Sequence, residues 1–411
     1  MNKKVILVWF RNDLRTSDNE VLYSAIEKSD FVIPVYIFDP RYYTTNRYGF
    51  ENTGALRRQF ILNSVAALKS KLQKLGGDLL TFEGYPEEII PRLVQKYDVD
   101  EVYHHREIAR RETRISELVE ESLWLVKRNL KHFIGHTLYH KEDLPFPIKD
   151  IPDDYNTFKK KVSKESFVRE SIPDVTHVAI PPHVERTPFD VEVDEENLYL
   201  YGEGWAKQRM EELITQAELT QDLFSELSPY LSLGILSPAQ VYHFFQKHLT
   251  STKKKVVTSV LEGLLWRDYY RFMLKKYPNC FFKTVEEGKP DKESFDAFVQ
   301  GKTADSDINE LVQRLNDTGM LNRLEKELVA MYFVYERKLP WRYGASFFEQ
   351  QLIDYAPATN YGFWSHIVGR GTSLKHNRNE DDWLKMKKAL EQVNPQPHLS
   401  NKVKKVSKEK I

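Results

Sequence analysis

The stretch DYAPATNYGFWSH (354–366) brings a carboxylate, an amide and an indole into one short run. Asn360 and Trp364 lie one helical turn apart, so both side chains fall on the same face, with Asp354 just upstream. Three other stretches carry chemistry of their own. LSPYLSLGILSP (227–238) contains Ser-Pro twice, and Ser at an N-cap followed by Pro is a helix-start signal. A helix N-terminus exposing amides beside Ser225 and Ser228 is a ready phosphate site. In GLLWRDYYRF (263–272), Trp266, Arg267 and Tyr270 sit around the turn from the apolar face. An arginine beside such rings can hold an anion while the rings stack on a planar group or a flipped base. Finally, TGMLNRLEKELVAMYF (318–333) and KLPWRYG (338–344) place Trp341 on a helix next to that of Trp364, where their rings can meet. Taken singly, each stretch is satisfied by capped helices, a surface ion pair or ordinary aromatic packing.

The elements that must position these groups divide the chain in two. The first 140 residues alternate short apolar runs with amphipathic stretches. Strands are expected at VILVWF (5–10), VIPVYIF (32–38), DLLTFEG (78–84), VDEVYHH (99–105) and near FIGHTLY (133–139). Between the second and third, ALRRQFILNSVAALKSKLQKLGG sets Leu56, Phe60, Ile61, Ala67, Leu68 and Leu72 on one helical face, with Gly76-Gly77 closing the helix. Strand and helix in repetition predict an α/β, Rossmann-like, doubly wound parallel sheet over 1–135. GxGxxG does not follow the first strand, which argues against a dinucleotide held by that fingerprint. Residues 136–200 lose the pattern in prolines and charges and read as a linker with one short helix near 155–165. From 201 to 395 the periodicity is helical throughout, and 396–411 is a basic, frayed tail. No internal repeat is visible.

The bulk numbers agree with two domains. The 411 residues carry 60 Lys+Arg against 60 Asp+Glu, so polyanion binding must come from a local patch. The single cysteine, Cys280, cannot form an intramolecular disulfide and suits a reducing cytoplasm. The N-terminal apolar run is too short for a signal sequence or a membrane span. Twenty-two Tyr, 23 Phe and 7 Trp supply many flat surfaces for packing and for stacking planar ligands. His104 and His105 alternate across a strand and do not form a metal pair.

Together and in order, SPYLSLGILSP, LLWRDYYRF, TGMLNR and LPWRYGASFFEQQLID…TNYGFW resemble the photolyase and cryptochrome family at family-like spacings. VWFRNDLRTSDNEVL and YIFDPRYY are similar to that family's first two strands, and TLYHKEDLPF…IPDDYNTFKKKV to the linker of the DASH cryptochromes. The resemblance covers residues 5 to about 375. It implies an antenna domain, an all-α domain holding FAD, and blue-light-driven electron transfer to pyrimidine dimers in DNA, including single strands, by a monomer with no membrane partner. Asn360 matches the residue facing flavin N5, where an amide can respond to protonation without adding fixed charge. Trp364 and Trp341 match the first two members of an electron-transfer chain. Ser225, Leu227, Ser228, Arg267, Asn322 and Asp354 match flavin-binding positions. Trp266 matches the lesion-stacking tryptophan, Arg323 a residue near the DNA backbone, and His366 an aromatic lining the lesion pocket. Glu107, in HREIARRE, matches a glutamate that meets a folate antenna; a solvated helix face is the competing reading.

Several positions depart from the family pattern. Phe224 and Glu226 interrupt its TS.LS phosphate motif, and the tyrosine and arginine segment before it is missing. Glu325 stands in place of the arginine that pairs with Asp354, leaving two like charges if both side chains stay put. Ala356 replaces a second aspartate, Gly263 a glutamate and Phe298 the outermost tryptophan. The loss of two or three charge-assisted contacts would weaken FAD binding by roughly a hundredfold or more. Two further readings stand beside repair: a flavin photosensor without repair, and a scaffold binding nucleic acid or protein without flavin.

Overall fold

The computed structural model describes residues 3–189, 201–216, 222–282 and 288–391. The basic tail, part of the linker and most of the segment before Leu223 lie outside these residues. Five parallel strands form the N-terminal domain: β1 (Val5–Phe10), β2 (Phe31–Phe38), β3 (Leu80–Glu83), β4 (Glu101–His105) and β5 (Leu130–Phe133). Their order is β3-β2-β1-β4-β5. Strand β1 is buried along its whole length, as a central strand covered on both faces must be. Pro34 is tolerated in β2 because it pairs with Val8 on one side while β3 begins only opposite Val35 on the other. The fifth strand precedes the expected run at 133–139. Gly135 breaks that run: a Cβ there would lie 2.4 Å from the His105 ring, and the chain turns away toward the linker.

Helices α1 (Glu20–Lys28), α2 (Ala55–Lys74), α3 (Pro86–Lys96) and α4 (Arg110–Leu125) cover the sheet. On α2, Phe60, Leu68 and Leu72 are buried, whereas Leu56 is exposed at the helix start. Gly76 follows α2 with φ +90°, a conformation that favours glycine and ends the helix. The linker carries α5 (Tyr155–Glu165) at its expected place. It is no free tether, since Val178 is fully buried and Val32 N donates to Ala179 O.

The second domain is all helical. It opens with α6 (Glu203–Gln216), α7 (Leu223–Ser232), α8 (Pro238–Lys247) and the long α9 (Lys254–Lys276). Then follow α10 (Lys292–Val299), α11 (Ser306–Thr318), α12 (Arg323–Met331), α13 (Trp341–Gln351), α14 (Pro357–Ile367) and α15 (Glu380–Glu391). A π-helical turn, Tyr332–Glu336, follows α12. Only the second Ser-Pro starts a helix: Ser237 caps α8 in a capping box with Gln240, while Pro229 lies inside α7. One apolar cluster spans both domains and includes Phe10, Leu233, Phe245, Phe333 and Trp364. The domains meet at the C-terminal ends of β1 and β4, where the strand order reverses and open α/β sheets form a crevice. Leu14 N donates to Leu233 O, and Arg15 reaches Gly234 O at 2.8 Å. Gly234 has φ +63°, and a Cβ there would fall 2.1 Å from Asn12 O. Among the described residues no helix is long and apolar enough to cross a membrane.

Candidate functional site

The α13–α14 wall carries the residues with which the sequence reading began. Asn360 is buried, and its Nδ2 donates to Ala345 O at 2.9 Å, which leaves Oδ1 as an acceptor. Trp364 is fully buried among Phe333, Phe348 and Phe363, with ring centroids 5.8, 5.2 and 6.3 Å away. Gly344 lets the indole in, since a Cβ there would come within 2.4 Å of it. The Trp364 Nε1 hydrogen has no acceptor among the described residues. Trp341 opens α13 with the Arg342 guanidinium 4.7 Å above its ring and Tyr361 at 6.5 Å. The two indoles therefore pack against different neighbours, and the expected ring contact between Trp341 and Trp364 is replaced by Tyr361 on one and Phe333 on the other. Phe298 bridges Phe333 and Tyr332, and Tyr332 touches Trp383 at 6.0 Å.

The two acids that depart from the family pattern, Glu325 and Glu226, are both paired within the protein. Glu325 forms a capping box with Asn322, whose Oδ1 accepts the Glu325 amide at 3.0 Å, and it pairs with Arg314 on α11. Asp354 is instead neutralised by the next residue, Lys326 at 2.6 Å, and accepts the Ser228 hydroxyl at 2.5 Å. Glu226 is exposed and meets Arg209 at 3.4 Å. Arg267 is engaged by the chain's own backbone. Its guanidinium donates to His136 O and, at 3.2 Å, to Leu231 O, so it ties α7 and α9 to the linker. Burial, helped by the nearby Arg271, lowers its pKa to about 9.

At the start of α7 the protein supplies its own anion. The Asp222 carboxylate caps the helix, accepting the Ser225 amide at 3.3 Å and the Ser225 hydroxyl at 2.7 Å. It also accepts the first amide of α12, Arg323 N, at 3.2 Å. Beside it, the Phe224 ring lies against α9 at Gly263, where a Cβ would be 2.3 Å away. The two departures at 224 and 263 are thus one repacking: the lost glutamate makes room for the gained phenylalanine.

Trp266 lies beneath the linker. The Tyr155 ring stacks on it at 3.6 Å and 9°. Edge-on at 5.8 and 5.0 Å stand His366 and His376, with Tyr270 tilted at 5.5 Å. Tyr155 is held by its own amide, which donates to the Ser373 hydroxyl at 2.9 Å. Burial, then the charges of His376 and Arg378, push the His366 pKa down to about 3, so its ring is neutral near pH 7. Nothing in the sequence pattern singled out Tyr155 or Asp222; only the fold brings them to Trp266 and to the α7 amides.

Glu107 is buried with both carboxylate oxygens engaged, by Asn12 at 2.9 Å and Arg271 at 3.1 Å, and His136 lies 3.5 Å away. Burial opposes its ionisation, but His136, Arg271 and Arg11 outweigh it and hold the carboxyl below its usual range. It is neither a solvated helix face nor a free acceptor: it sits between a narrow interdomain cavity of about 120 Å³ and a cleft of about 680 Å³ lined by Arg106, Arg110, Lys141 and Lys275. His104 and His105 point apart, to His132 and to Asp13, each at 2.7 Å.

A five-stranded parallel α/β domain joined to an all-helical domain with tryptophans buried in its core defines a photolyase-type, two-domain molecule. Residues 6–177 match the DNA photolyase model, and residues 260–391 match the model of the FAD binding domain of DNA photolyase. The chloroplastic/mitochondrial cryptochrome DASH of Arabidopsis thaliana is 33% identical, the match covering 92% of this chain and 72% of the plant protein. The chain belongs to the DNA photolyase and cryptochrome family. Among solved structures, the cryptochrome of Synechocystis sp. PCC6803 superposes with a TM-score of 0.81 at 29% identity, over 90% of this chain and 82% of that one. An archaeal photolyase from Sulfolobus tokodaii with two FAD molecules shares the fold, with a TM-score of 0.71 at 23% identity, over 99% of this chain and 94% of that one.

FAD is the cofactor of the matched helical domain. The ring wall suits it: Asn360 offers an amide edge, and the Asp354 carboxylate is already neutralised by Lys326. If a diphosphate docks at the start of α7, as the resemblance implies for Ser225 and Ser228, it would need amides that Asp222 already holds.

Proposed function

We propose that this chain is a DASH-type flavoprotein that responds to blue light and does not repair pyrimidine dimers. Bound in the helical domain, FAD supplies light absorption and one-electron chemistry. The chain's own residues supply the rest. Asn360 offers its free amide oxygen to the polar edge of the ring, Lys326 neutralises the charge that Asp354 would otherwise bring, and the apolar residues around Trp364 exclude water. The observation that carries the reading is Tyr155 stacked on Trp266 at 3.6 Å. A base can stack on that face only after Tyr155 leaves, and the backbone bond to Ser373 and the buried packing of Tyr155 oppose its leaving. The reducing cytoplasm suggested by the lone Cys280 and the monomeric state remain part of this proposal.

Loading purified protein with FAD and illuminating it in blue light beside dimer-containing single-stranded DNA tests the reading. A light-dependent change in the flavin spectrum, with the dimers left intact, is expected. Efficient dimer loss would overturn it in favour of repair. A protein that stays colourless with excess FAD would leave the flavin-free scaffold.

A further inference from the structure

We propose that Asp222 is an internal stand-in for the flavin diphosphate, so that this chain grips a flavin by its ring and gains little from the phosphates. The inference rests on the flavin reading above and concerns the helix starts of α7 and α12. Three observations carry it.

First, the N-terminus of a helix attracts an anion through its free amides and its dipole. At α7 that place is taken: Asp222 accepts the third amide of the helix and the Ser225 hydroxyl. Second, the same carboxylate accepts the first amide of α12, so one side chain serves two converging helix starts. A diphosphate entering there would meet a negative charge already holding the donors it needs. Third, the surroundings have been rebuilt around this arrangement. Phe224, next in the chain, lies on Gly263, and Ser228 has turned its hydroxyl to Asp354. Glu226, the other acid in the motif, faces Arg209 and takes no part.

The exchange, in this chain, of the family's threonine for Phe224 and of its glutamate for Gly263 is then no simple loss of a site. The helix starts stay satisfied without a ligand, and the helical domain does not depend on a cofactor to neutralise them.

The test is a pair of flavin titrations, with FAD and with riboflavin, followed by quenching of flavin fluorescence in the full chain. In the unmutated protein the two affinities are expected to agree within a few-fold. Asp222→Ala frees both sets of amides and should tighten FAD about tenfold to a hundredfold while leaving riboflavin unchanged. Because loss of a cap can loosen α7, Asp222→Asn serves as the second variant. It keeps a capping oxygen, removes the charge, and should shift FAD in the same direction. Unmutated protein that prefers FAD over riboflavin by about a hundredfold, with neither variant altering FAD affinity, would overturn the inference and leave the flavin reading standing. If neither flavin binds any of the three proteins, both fail. FAD binding gained only in the variants would overturn the grip by the ring, and with it the flavin reading, even though Asp222 then blocks the helix starts.

Discussion

Two regions of the helical domain differ in what fills them. The α13–α14 wall keeps an amide and an indole set in a tight apolar frame, with Gly344 shaped to the Trp364 ring. The region where α7, α9, α12 and the linker meet is filled by the chain's own groups: Asp222 at the helix starts, Phe224 on Gly263 and Tyr155 on Trp266. The replacements come in complementary sets. Phe224 needs Gly263, and Glu325 turns to Arg314 while Lys326 takes over the charge of Asp354. Drift under no constraint would leave cavities and unpaired charges. Paired changes point to a domain repacked to be stable as it stands.

The largest effect that would sharpen this contrast is at the wall. Trp364→Ala should cost about 3–5 kcal/mol in urea unfolding, because a fully buried indole leaves a cavity that Phe333 and Phe348 cannot close. Trp364→Phe should keep the fold but lose most light-driven reduction of bound flavin, and unchanged photoreduction would break the assigned role.

Next comes the lid over Trp266. Tyr155→Ala should cost about 3 kcal/mol and raise affinity for dimer-containing single strands, measured by fluorescence anisotropy. An unchanged affinity would show that Tyr155 does not guard that face.

The third effect depends on pH. His366 has a folded-state pKa of about 3, below its ordinary value, so folding favours the neutral ring. Its contribution is complete above about pH 6.5 and is lost as pH falls toward 3, by about 1.4 kcal/mol per pH unit. His366→Phe should flatten that acid limb in denaturation curves collected from pH 7 to 5. Asp268 works with the opposite sign between about pH 4 and 6, since burial raises its pKa to about 6, but it is common to both proteins and cancels in the comparison.

The smallest effect is at Glu226. Its contact with Arg209 is exposed, so Glu226→Gln should change stability by less than about 0.5 kcal/mol and leave FAD affinity unaltered. A clear gain in FAD affinity would mean that this acid, and not Asp222, opposes the diphosphate.

Much of the fold was legible because its signals are local. Apolar runs gave four strands within about two residues, the linker helix fell at 155–165, and Ser237-Pro238 capped α8 as its motif implies. The misses have physical causes. Ser228-Pro229 resembles a helix start, but Asp222 caps the helix a full turn and more earlier and Pro229 is absorbed inside it. The site was legible in its residue types and less so in its contacts. Asn360, Trp364 and Trp341 lie on the helices the spacing implied, yet whether Glu325 would face Asp354 turned on side-chain direction, which a capping box with Asn322 decided. Tyr155 reaches Trp266 across 111 positions of sequence, and no local pattern reports such a contact.

The central claim is that the ring wall still serves a flavin while the lesion face is shut. It is tested most directly by counting pyrimidine dimers in single-stranded DNA before and after blue illumination with the FAD-loaded, unmutated protein. The account predicts a flavin spectrum that changes with light and a dimer count that does not. A dimer count that falls in proportion to the light absorbed would contradict it.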